Sequence, residues 1–114
     1  MSHPIKDYIS IRIFADSVNQ DEAKIIFGSF SKEFQKYGQI EIIKIEQYWK
    51  NKEQFEILFN LVPEKEVINT ISNVTESLSS EWEIFSNSYV WNYSDKGYLV
   101  DKRVKWANVE MIEV

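Results

Sequence analysis

Cysteine is absent from this 114-residue chain, and histidine occurs once, as His3. The first absence excludes disulfides, thiol nucleophiles and thiolate metal sites together. The second removes the usual general base and the usual zinc ligand, because a Ser-His arrangement or a zinc site needs an imidazole held inside the fold. Glycine is scarce as well. Gly28, Gly38 and Gly97 stand far apart, so neither G-x-x-x-x-G-K nor G-x-G-x-x-G exists to cradle a phosphate. No Asp-x-Asp-x-Asn-Gly loop is present for calcium. Close carboxylates such as Glu41 and Glu46, or Glu53 and Glu56, suit a solvated sheet edge better than paired acid–base work. No enzyme, cofactor or metal is therefore expected.

Long apolar runs are missing too. No stretch approaches the roughly 20 apolar residues of a membrane helix, and Lys6, Asp7, Ser10 and Arg12 interrupt the N-terminal segment where a signal peptide would have its apolar core. The expected address is the cytoplasm, where the Asn73-Val74-Thr75 and Asn92-Tyr93-Ser94 sequons carry no sugar. Positive charge is in the minority. Against 18 acids stand 13 Lys and Arg, a net charge of -5. A phosphate-backbone binder needs a concentrated positive field, so nucleic acid is an unsuitable partner and a basic protein a suitable one.

What remains is globular in kind. Hydrophobic residues are 44% and charged residues 27% of the chain, which supports one core and a single domain spanning 1–114. Ile9, Ile11 and Ile13 alternate with Tyr8, Ser10 and Arg12, the period of a strand. Ala23, Ile26, Phe27, Phe30, Phe34 and Tyr37 recur at helical spacing, with Asn19 and Glu22 as a capping pair and Gly38 at the expected end. The segment 39–49 predicts a second strand, with a phase slip at Ile42-Ile43 that marks a bulge or burial on both faces. Phe55, Ile57, Phe59 and Leu61 then alternate as a third strand after a turn at 50–52. Pro63 suits the first position of a second helix with Val67, Ile68, Ile71, Val74 and Leu78 inward. Segments 82–85, 89–93, 98–100 and 104–114 are extended, and Ser94-Asp95-Lys96-Gly97 reads as the turn of a late hairpin. This order predicts an α+β fold, the ferredoxin-like split β-α-β-β-α-β plan, with two helices on one face of an antiparallel sheet and an extra C-terminal hairpin.

Aromatics are plentiful, 15% of residues. Tyr48-Trp49, Trp82, Tyr89, Trp91, Tyr93, Tyr98 and Trp106 exceed what one small core needs. Either they pack on the open sheet face as a second mini-core, or some stay accessible as anchors of an interface rimmed by Glu41, Glu46, Glu56, Asp95 and Asp101. An RNA-binding sheet is a poor match, because Gln54-Phe55-Glu56-Ile57-Leu58-Phe59-Asn60 lacks the basic-Gly-aromatic pattern.

In size, acidic balance and the closing segment Val104-Lys105-Trp106-Ala107-Asn108-Val109-Glu110, the chain resembles the small acidic immunity proteins of bacterial toxin–immunity systems. That resemblance implies a protein that binds a cognate toxin, often a nuclease with a basic active site, and occludes it without turnover. The residues expected to bind are Tyr48 and Trp49 at one hairpin tip, Trp91, Tyr93 and Asp95 at the other, and Glu46 and Glu56 between them. The alternative is a dimer of open sheet faces that encloses a small apolar or aromatic ligand. Monomer and dimer both stay open at this point.

Overall fold

Ile9, Ile11, Ile13 and Ala15 are all fully buried, and they alternate with Ser10, Arg12 and Phe14, which are not. That alternation makes the first strand the dividing line of the molecule, with the core on one side of it. The computed structural model describes residues 6–93 and 97–114. The elements run β1 (Tyr8–Asp16), α1 (Gln20–Phe34), β2 (Gly38–Tyr48), β3 (Asn51–Pro63), α2 (Val67–Leu78), β4 (Glu83–Ile84), β5 (Ser88–Asn92) and β6 (Val104–Ile112). All six strands form one sheet in the order β2-β3-β1-β6-β5-β4, and every neighbouring pair is antiparallel. The protein is therefore α+β, with a six-stranded antiparallel sheet and two helices.

The inner face of β1 meets Phe55, Ile57, Phe59 and Leu61 of β3 on one flank and Ala107 and Val109 of β6 on the other. Helix α1 lays Ala23, Ile26, Phe30 and Phe34 on this surface, and Phe27 and Phe34 meet Phe59 edge-on with ring centroids 5.2 and 5.3 Å apart. Helix α2 adds Ile71 and Val74 to the same cluster. Burying each such side chain contributes roughly 1.5–3 kcal/mol. The expected cap is present, because Asn19 Oδ1 accepts the Glu22 N–H at 2.9 Å.

Several local expectations change. Helix α1 ends at Phe34 and Gly38 opens β2 instead of closing the helix. Pro63 ends β3, opposite Gly38, and α2 starts four residues later with Glu66 as its N-cap. The inner stripe of α2 uses Thr70 and Thr75, whose hydroxyls donate to the carbonyls of Glu66 and Ile71 one turn back, while Ile68 faces outward. The phase slip at Ile42-Ile43 is a bulge, where the pairing with β3 shifts between Ile42 and Lys44. Late in the chain the extra hairpin forms with the segment before it. Strand β5 pairs with β4 on one side and β6 on the other, whereas 98–100 forms no strand. Instead Asp101 N–H returns to the Leu99 carbonyl around Val100, whose φ of 62° is held by the fully buried Leu99. Gly97 takes the expected positive angle, and the turn residues Ser94, Asp95 and Lys96 lie outside the described residues.

Gly38 is required by closeness rather than by φ. A Cβ there would press on the carbonyl oxygen of Val62 and sit 2.8 Å from Pro63 Cα. Gly28, in the middle of α1, has open space around the same position. Gly38→Ala is therefore expected to cost about 1–3 kcal/mol, and Gly28→Ala to add about 0.5–1 kcal/mol, both read from urea unfolding midpoints. Equal and small effects would contradict this account of the two sites.

Candidate protein-binding face

The face of the sheet away from the helices takes the other half of each alternation. From β1 it receives Ser10, Arg12 and Phe14, from β3 Glu56, Leu58 and Asn60, from β6 Trp106, Asn108 and Glu110, and from β2 Glu41, Lys44 and Glu46. No helix covers it. Of these side chains only Glu56 is buried.

Glu56 is buried by charge partners. Arg12 Nε lies 3.0 Å from one carboxylate oxygen and Lys44 Nζ 2.8 Å from the other, and the Glu56 side chain keeps 11% exposure between them. Three strands thus place a cation, an anion and a cation in one row at the centre of the face. The anion satisfies both neighbours and is enclosed by them.

Beside this trio runs a row of rings. Tyr48 reaches over β3 to Phe14, with centroids 4.6 Å apart, and Phe14 meets Trp106 at 5.4 Å. Trp49 continues the row from Tyr48 at 6.2 Å. It occupies the two-residue turn between β2 and β3, is 78% exposed, and carries Lys50 Nζ 5.0 Å from its ring. At the other end Lys105 sits in a second irregularity of register, between Phe14 and Ala15 of the facing strand. Its Nζ lies 3.9 Å over the Tyr93 ring and 3.6 Å from Asp16 Oδ2. Tyr93 is 50% exposed.

The expected binding residues divide accordingly. The structure brings Tyr48 and Trp49 together and puts Glu46 exposed on the same face, with Tyr93 at its far end. Trp91 is a correction. It pairs with Ala107 on the core side and keeps 3% exposure, so no partner reaches it. Tyr89 and Trp91 pack toward the core, and Tyr93 follows the last residue of β5. Glu56 is a second correction, since its charge is spent on Arg12 and Lys44 and it offers no acidic rim. Asp95 lies outside the described residues. Asp101 is tied to Arg103 by two bonds of 2.9 Å. Phe14 and Trp106 complete the row and were absent from the expected set. The signal for Phe14 lay in the outward alternation of β1, and that for Trp106 in the alternation of Trp106, Asn108 and Glu110 with Ala107, Val109 and Met111.

Among the described residues no group of three His, Asp or Glu is placed to hold a metal, and no helix is long and apolar enough to cross a membrane. The arrangement is suited to contact: flat rings, a paired central carboxylate and free acids at the margins. A separate open groove of about 350 Å³ lies on the helical side, between α2 and the β4–β5 edge, lined in part by Ile68, Ile84, Phe85 and Met111. Comparison with protein-family models, curated proteins and solved structures finds no significant match for the chain.

At the margin, the Arg103 guanidinium bonds Asp101 and holds its carboxyl below the ordinary value. A lowered folded value adds stability that is present above the unfolded carboxylate range, near pH ~4, and is lost as pH falls through the lowered value. Arg103 also reaches Glu22 at 3.1 Å. Arg103→Gln is expected to lower stability by about 1 kcal/mol at neutral pH, with the gap to wild type closing on acidification below pH ~4. Urea unfolding at both pH values reads this, and a gap independent of pH would contradict it.

Proposed function

We propose that this chain is a non-catalytic binding protein of the toxin–immunity kind, which docks its uncovered sheet face on a basic protein partner in the cytoplasm and occludes that partner's site. The observation that carries the reading is the row of an exposed Trp49 and the half-buried Tyr48, Phe14 and Trp106 on the face away from the helices, where acids outnumber bases. Glu41 and Glu46 border it on β2 and Glu110 on β6, while the two cations near its centre are already paired with Glu56. Rings packed in a row present a large rigid apolar area at little entropic cost, the character of an interface anchor. Acids around that area steer a basic partner and set its orientation. A ferredoxin-like ancestry of the sheet belongs to the same reading: β3 threads between β1 and β2, β1 between β3 and β6, and β5 and β4 are an added edge.

The test starts from affinity capture at low salt in the native source, followed by binding and inhibition assays with the purified partner. The expected result is a basic protein bound and inhibited one-to-one, with Trp49→Ala weakening the complex about thirtyfold and Glu41→Lys with Glu46→Lys slowing association. A partner whose binding ignores all three substitutions would remove this face from the interface.

A second reading is favoured by the groove between α2 and β4. Its exposed Ile68, Ile84 and Phe85 form an apolar lining away from the sheet face, fitted to a small apolar or aromatic ligand. An apolar dye such as anilinonaphthalene sulfonate is expected to bind there and to be lost in Phe85→Asp. Dye binding unchanged by that substitution would exclude the groove.

A further inference from the structure

Strand β2 is an edge of the sheet, eleven residues long, and it is paired on one side only. Such an edge offers a row of free main-chain donors and acceptors to another strand. Proteins blunt long edges with charge, proline or a bulge. The stretch from Gly38 to Tyr48 carries charge and a bulge but no proline, and near its middle Ile42 and Ile43 stay 54% and 47% exposed. Among the described residues, the one side chain that bonds its main chain is Gln20, whose Nε2 donates to the Ile45 carbonyl at 3.0 Å.

The bulge decides which strand fits this edge. Up to Ile42 the odd residues of β2 face the open side, as Glu41 opposite Asn60 shows. After the shift the even residues do, as Lys44 opposite Leu58 and Glu46 opposite Glu56 show. Paired strands must keep matching sides together. A second copy of β2, run antiparallel about a two-fold axis between Ile42 and Ile43, meets that condition because the bulge reverses the phase at the axis. It sets Ile42 against Ile43, Glu41 against Lys44, Ile40 against Ile45 and Gln39 against Glu46. Open side meets open side, core side meets core side, and the acid–base pair occurs twice. Sliding the copies by two residues in one direction sets Glu41 against Glu46, a like-charge pair, and in the other sets Glu41 against Ile42, open side against core side. A regular strand without the slip would put opposite sides together in the favourable register.

We propose that this chain forms a two-fold homodimer through β2, joining two six-stranded sheets into one continuous sheet. The partner is a second copy, selected by charge complementarity between Glu41 and Lys44 and by the coincidence of bulge and axis. Lys44 shares the single charge of Glu56 with Arg12 and so keeps positive charge to offer. The dimer leaves the aromatic row uncovered and doubles the face available, but it engages Glu41 and Glu46 at the rim of that row. Ile43→Asp changes no rim acid, so it is the variant that separates loss of the dimer from loss of the binding role proposed above.

Sedimentation equilibrium across a concentration series tests it, with circular dichroism confirming the fold of each variant. The expected mass is twice 13.6 kDa. Glu41→Lys alone and Lys44→Glu alone are each expected to weaken the dimer by about tenfold to a hundredfold, since both cross-strand pairs become repulsive. An equimolar mixture of the two variants restores it, because each copy then meets the opposite charge at both positions. If Lys44→Glu fails to fold through loss of its bond to Glu56, Ile43→Asp replaces it and is expected to dissociate the dimer. A monomer at every concentration overturns the proposal. So does a dimer that survives Glu41→Lys and Ile43→Asp but is lost in Trp106→Ala, the signature of pairing through sheet faces.

Discussion

Because β1 sends Ile9, Ile11, Ile13 and Ala15 to one side and Arg12 and Phe14 to the other, the whole molecule is sorted into a dry side and a wet side by a single strand. Strand β1 sits between β3 and β6, so its register fixes theirs. A slip of one residue would exchange the two sides along all three strands and place Arg12 under the helices. The helices then have no choice of face. Both follow the isoleucines, and the opposite side of the sheet is left with whatever the alternation delivers: one ion trio, a row of rings and free acids. The uncovered face is a consequence of where the core is.

The ion trio limits what that face can be. An enclosed carboxylate without partners is costly, and two cations flanking it offset the cost without necessarily adding stability, since such groups are often replaceable by apolar residues of similar size. What Glu56 does beyond stability is positional. It fixes Arg12 and Lys44 against the sheet and offsets one of their two positive charges, so the negative balance of the face comes from Glu41, Glu46 and Glu110 around it. The neighbouring rings gain a firm footing from the same strands, since Phe14 and Arg12 are two residues apart on β1.

Much of the architecture could be read from periodicity. Strand β1, helix α1 with its Asn19 cap, the Ile42–Ile43 bulge and strand β3 all follow from spacing that local chemistry enforces. Where tertiary context decides, the pattern misled. Pro63 carries a helix-start signal, but its missing N–H is equally tolerated at the end of a strand, and close contact with Gly38 fixes it there. Thr70 and Thr75 look polar in sequence, yet their hydroxyls are satisfied within the helix and can be buried. Trp91 and Tyr93 have the same parity and were both expected to bind at the tip of the late hairpin. Strand β5 ends at Asn92, so only Trp91 obeys the alternation and is buried. Glu56 looked like a rim acid because its cations, Arg12 and Lys44, are distant in sequence and meet it only across strands. Phe14 and Trp106 come together for the same reason, through a pairing that no local pattern encodes.

Charge and shape act at different ranges on this face. A net charge of -5 is felt over about one Debye length, roughly 8 Å at physiological ionic strength, so it governs approach and orientation. The rings act only at contact, through apolar area and exclusion of water. Spreading the acids along β2 and β6 while pairing the central acid with two cations separates these two tasks: attraction to a basic partner lies at the margins, and the part that must lose its water holds no bare carboxylate. Desolvating a bare central carboxylate would oppose binding even to a basic partner, because its hydration must be surrendered before the new pair forms. A face built as this one is avoids that opposition. Its aromatic centre can be dried at low cost while its acidic margins remain solvated and able to steer.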